Sequence, residues 1–109
     1  MGKLEGAIQN VEVRQVNVSY FAVITFRASD STILNITCWK DHLAQQFLGC
    51  SMKDYYFFTK GDDLFTTEKI QMMTKLVNKR QDLVNFTVKD SYRQEKKYIN
   101  LVDFKWLSE

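Results

Sequence analysis

The stretch TILNITCWKDHLAQQFLG, residues 32–49, passes from the hydrophobic period of a strand to that of a helix, and that change decides the fold. Over Thr32–Trp39, Leu34, Ile36 and Cys38 alternate with Ile33, Asn35, Thr37 and Trp39, so the first set should face a core and the second should face away. Trp39 therefore closes the strand on the polar face, where a large ring is not needed for packing. From Lys40 to Leu48 the apolar residues Leu43, Ala44, Phe47 and Leu48 recur at helical spacing, and Gly49 is a natural C-terminal stop.

Upstream, AIQNVEVRQV (residues 7–16) reads as a first strand and VSYFAVITFR (residues 18–27) as a second. The second places Val18, Tyr20, Ala22, Ile24 and Phe26 on one face and Phe21, Val23, Thr25 and Arg27 on the other. With no proline and four glycines, turns must be read from polar clusters such as Ala28-Ser29-Asp30-Ser31. Downstream, Cys50–Phe65 stays open: the rings Tyr55-Tyr56-Phe57-Phe58 fit a short strand or an aromatic loop, with two facing inward and two exposed. Thr67 is placed to cap a second helix running to about Lys79, with Ile70, Met73, Leu76 and Val77 as its apolar stripe. LVNFTVKDSY (83–92) and KYINLVDFKW (97–106) form a closing hairpin around Arg93-Gln94-Glu95-Lys96, with Phe104 and Trp106 assigned to the core. Three strands, a helical section and two more strands predict an all-β fold with one or two short helices. The plan is that of a five-stranded oligonucleotide-binding (OB) barrel, a single domain over residues 1–109.

Aromatic residues make up 14% of the chain, more than a core this small requires, so some rings should be exposed for contact. The net charge of +2 conceals an asymmetry. Lys69, Lys75, Lys79, Arg80, Lys89, Arg93, Lys96 and Lys97 face only Asp82, Asp90 and Glu95 within residues 69–97, a local excess of +5 that suits a polyanion. No apolar run approaches the roughly 20 residues of a membrane span, and the first ten residues lack a secretory segment, so a cytoplasmic location with no membrane partner is expected. Cys38 and Cys50 are expected to be reduced, with Cys38 buried, and no metal-binding spacing is present. Enzyme chemistry is not expected: His42 is the only histidine, Asp62-Asp63 reads as a turn, and Lys60-Gly61-Asp62 is no phosphate loop. No cofactor and no small-molecule substrate are implied.

The segment ITCWKDHLAQQF, residues 36–47, resembles the single-stranded-DNA-binding protein family. In that family the third strand ends in an aromatic residue, here Trp39. A basic or small residue follows, here Lys40, and then a short helix with a Leu-Ala pair, here Leu43-Ala44. YINLVDFKWL also looks like the family's closing strands. GAIQNVEVRQ lacks the glycine often found near the end of the family's first strand, and the connection over residues 50–81 is longer than usual. The absence of a flexible acidic tail suggests a phage or mobile-element version, or a primosomal relative.

The resemblance implies sequence-tolerant binding of single-stranded DNA, with RNA as a variant, protecting replication or recombination intermediates, and assembly as a homo-oligomer. Such binding combines stacking of rings on bases with neutralisation of phosphates. Trp39 is the leading stacking candidate, against packing under the helix or in a subunit interface. Tyr92 lies about where the family's hairpin carries a contacting aromatic. Phe21 and Arg27 share the outward face of the second strand, and Lys40, Lys89, Arg93, Lys96 and Lys97 are the phosphate candidates. The competing reading is a protein-interaction module whose aromatic surface contacts a replication or host protein.

Overall fold

The structure, a computed structural model, describes residues 2–60, 67, 71 and 82–107. Among the described residues the main elements follow one another as β1 (Gly2–Val16), β2 (Ser19–Ala28), β3 (Ile33–Cys38), α1 (Asp41–Leu48), α2 (Met52–Thr59), β4 (Leu83–Arg93) and β5 (Lys96–Trp106). The strands close into a barrel in the order β1-β2-β3-β5-β4, with β4 returning to β1 and β3 meeting β5 in parallel. This is the OB arrangement expected from the element order.

Closure depends on β1, which is long enough to serve two neighbours. Residues Gly2–Ala7 pair with β4, and Gly6–Val16 pair with β2, so Gly6 and Ala7 are shared. A Cβ at Gly6 would strike the carbonyl oxygen of Arg27, which is why the corner carries a glycine. Two bulges bend the sheet further: Gln9 is the extra residue opposite β2, and Val102 the extra residue opposite β4.

The barrel interior holds Ala22, Ile24 and Phe26 of β2, Ile36 and Cys38 of β3, and Val84 and Phe86 of β4, all without solvent exposure. Phe26 stacks on Phe86 with centroids 4.7 Å apart. Helix α1 closes one end: Leu43, Ala44, Phe47 and Leu48 are buried, and Phe47 meets Phe104 edge-on at 5.4 Å. Gly49 ends α1 in the left-handed conformation (φ 81°), its N–H donating to Gln45 O, as its position in the sequence suggests. Phe104 and Trp106 are buried, and both cysteines remain thiols in buried positions.

Three expectations need correction. Val18 is not part of a strand; Asn17 and Val18 form a two-residue hairpin turn, with Asn17 at φ 56° and Val18 91% exposed. The first strand begins at Gly2 rather than Ala7, because the residues before Ala7 are held by β4. The aromatic run at residues 55–58 is neither strand nor loop but part of α2, whose start is capped by Ser51 Oγ accepting from Asp54 N at 3.1 Å. Helical geometry buries Tyr55, half-buries Tyr56 and Phe57 against Tyr20, and exposes Phe58. Of the second helix expected from Thr67, Thr67 and Gln71 are helical, and the remainder, with Lys69, Lys75, Lys79 and Arg80, lies outside the described residues. No helix among the described residues is long and apolar enough to cross a membrane.

Candidate functional site

Alternation along β2 and β3 produces the site directly. With Ala22, Ile24, Ile36 and Cys38 committed to the core, Phe21, Val23 and Thr37 turn to the outer face, and Trp39 follows the last residue of β3 on that same side. Phe21 and Trp39 stack on each other, centroids 4.5 Å apart and planes at 27°, and Trp39 keeps 47% of its surface exposed. Because the rings already touch, no base fits between them; together they present one broad face.

The β4–β5 hairpin forms the opposite wall. Its turn, Gln94-Glu95, has positive φ at both residues (50° and 64°), the backbone required by a tight two-residue connection. Residues paired across antiparallel strands share a face, so Ser91 with Tyr98 and Arg93 with Lys96 lie on one side. Tyr92 with Lys97 lies on the other, where Lys97 Nζ sits 3.3 Å from Asp90 Oδ2. Between hairpin and barrel is a cavity of about 250 Å³ lined by Val16, Phe21, Thr37, Trp39, Ser91, Arg93, Tyr98 and Asn100. A wider trough continues from it over Asn35, Thr25 and Arg14, with Lys96, Lys97 and Tyr98 along its rim. Arg14 lies 3.2 Å from Glu12, and both are exposed beside the trough.

The ground under Trp39 is fixed. Asp41 Oδ1 accepts Met52 N at 2.8 Å and its Oδ2 accepts Gln45 Nε2 at 2.6 Å, tying α1 to the start of α2 beside the ring. Behind the ring, burial pushes the Cys38 thiol above its ordinary value, and Sγ donates to Lys40 O at 3.4 Å.

Of the residues singled out from sequence, Phe21, Trp39 and Arg93 converge on the cavity, and Lys96 and Lys97 on the trough. Arg27 continues the outer face beyond Thr25, at the end away from Trp39. Lys40, Lys89 and Tyr92 are exposed but line neither depression, Tyr92 at 71% exposure. Sequence reasoning missed Tyr98 and Asn100. Counting alternate residues back from buried Phe104 would put both inside; the extra residue at Val102 reverses that parity and turns them out. Comparison with models of known families gives no match, and comparison with curated proteins gives none either.

Proposed function

We propose that this chain binds single-stranded DNA along the outer face of β2 and β3, without strong dependence on base sequence. One observation carries the reading: Phe21 and Trp39 form a prestacked, half-exposed aromatic face at the mouth of a groove edged by cations. Ring faces accept any unpaired base, each stack being worth roughly 1–3 kcal/mol. A prestacked pair adds to this because little side-chain freedom remains to be lost on binding. Arg93 in the cavity and Lys96 and Lys97 on the trough supply cations beside that face, which supports neutralisation of the phosphates of a strand lying across it. The position also agrees with the general habit of OB barrels, which bind strands over β2–β3 between the β1–β2 and β4–β5 connections. A strand so covered is shielded from nucleases and from re-pairing, the physical basis of a role in guarding replication or recombination intermediates.

The test is tryptophan fluorescence on titration with oligothymidine. Trp106 is 5% exposed in the core, so quenching should come from Trp39, and a Trp106→Phe variant should retain it. Unchanged emission at saturating oligomer, with no shift in a gel, would remove this reading and favour a protein-binding face.

A further inference from the structure

The Phe21–Trp39 face is indifferent to base identity, but the floor beside it is not. Thr37 and Asn100 are partners across the parallel β3–β5 ladder, and Ser91 approaches Asn100 from β4. Both hydrogens of the Asn100 amide are engaged: Nδ2 donates to Ser91 Oγ at 2.8 Å and to Lys89 O at 3.3 Å. An amide has two N–H donors and one carbonyl acceptor, so the group left for a ligand is Oδ1. Among the described residues nothing donates to it. On one side Ser91, having accepted from Asn100, keeps its own proton to donate; on the other stands the Thr37 hydroxyl. These hydroxyls can turn to suit either kind of neighbour. The Asn100 oxygen, pinned through its nitrogen, cannot.

A fixed acceptor between two adaptable hydroxyls complements an edge whose middle group is a donor flanked by acceptors. Thymine and uracil present that edge, with the imino N–H between two carbonyl oxygens. Cytosine and adenine place a ring nitrogen acceptor against the acceptor, which costs an unsatisfied polar pair. Guanine has an imino N–H as well, but it is flanked by one carbonyl and one amine instead of two carbonyls, so it offers an acceptor to only one of the two hydroxyls. We infer that this cavity reads the imino N–H of a thymine or uracil base, selecting one position of an otherwise freely chosen strand. The inference rests on the single-strand reading above and adds a specificity-determining residue, Asn100, to it.

Oligothymidine is preferred by many stacking surfaces for reasons of flexibility alone, so the test holds stacking and backbone constant. Affinities are measured for oligothymidine and for the same oligomer built from N3-methylthymidine, in which a methyl group replaces the imino proton, and the Asn100→Ala chain controls for the bulk of that methyl. The parent chain should bind the methylated oligomer roughly tenfold more weakly, the size of one lost base-edge contact. Asn100→Ala should bind both equally, at the weaker level. Oligodeoxyuridine shares the imino group and should match oligothymidine. Oligouridine supplies the same group from RNA, and tighter binding there would overturn the assignment to DNA. Equal affinity of the parent for methylated and unmethylated oligomers would overturn the edge reading while leaving the stacking face intact. Binding of neither would overturn both.

Discussion

At the scale of single residues, the site is made by which face of a strand each ring is given. Trp39 and Phe86 are both large, yet Phe86 has no exposure and Trp39 has 47%. Phe86→Ala should therefore cost about 3–5 kcal/mol of stability, as full core truncations do. Trp39→Ala should cost only its contact with Phe21, about 0.5–1.5 kcal/mol, while weakening oligothymidine binding by roughly 1–3 kcal/mol. Urea midpoints and a titration on the same preparations separate the two. A Trp39→Ala chain that unfolds outright, or binds like its parent, would return the ring to a packing role. Cys38 makes a complementary prediction from beneath the same surface. Its thiol is raised above the ordinary value of 9.0 chiefly by burial. A raised value in the folded state means the native fold holds the proton more tightly than the unfolded chain does. The corresponding stability is fully present below the ordinary thiol value and is lost as pH rises through the raised one. Cys38→Ala should thus be less stable at neutral pH but lose stability less steeply in alkali, a comparison of urea midpoints across that range.

At the scale of elements, the alternation along β2 and β3 and the change of period into α1 were legible because one face of each element is buried and the other is not. The pattern failed where tertiary pairing or a local cap decided the outcome. Residues 2–6, with two glycines and two charges, carry little strand propensity and become strand because β4 supplies their hydrogen bonds. Four successive rings suggested a short strand or an aromatic loop, yet Ser51 and Asp54 at helix-capping spacing outweighed them, and that signal was present in the sequence. The faces of β5 were illegible for a different reason: a bulge is set by barrel closure, not by composition, so Tyr98 and Asn100 could not be assigned to a side. Closure also makes Gly6 indispensable. Gly6→Ala drives a methyl into the Arg27 carbonyl, which is backbone and cannot swing aside. The expected loss is roughly 1–3 kcal/mol, the usual cost of overpacking, measured by chemical denaturation. A variant as stable as the parent would mean that the β1 corner is looser than the shared pairing of Gly6 and Ala7 implies.

At the scale of the whole molecule, charge distinguishes the two contributions to binding. The stacked pair of Phe21 on β2 and Trp39 just past β3 stands apart from the groove-side cations, which lie mainly on the β4–β5 hairpin, so each can be altered without touching the other. Affinity for oligothymidine should fall linearly with salt on logarithmic axes, with a slope near −0.7 for every phosphate neutralised on a single strand. The Asp90–Lys97 pair does not withdraw Lys97 from this role, because both side chains are about half-exposed and such pairs contribute little. Replacing Lys96 and Lys97 together by Ala should make the slope shallower by roughly 1.4 if each meets one phosphate. The melting temperature should stay nearly constant, since both positions are exposed. Trp39→Ala should instead displace the line downward and leave its slope alone, because stacking releases no counterions. Parallel lines for the lysine variant would place the phosphates elsewhere, whereas a changed slope for Trp39→Ala would show that the ring also positions the backbone. Only the pairing of an altered slope with the lysines and an altered intercept with the tryptophan fits a strand that stacks on the barrel face while its phosphates lean on the hairpin.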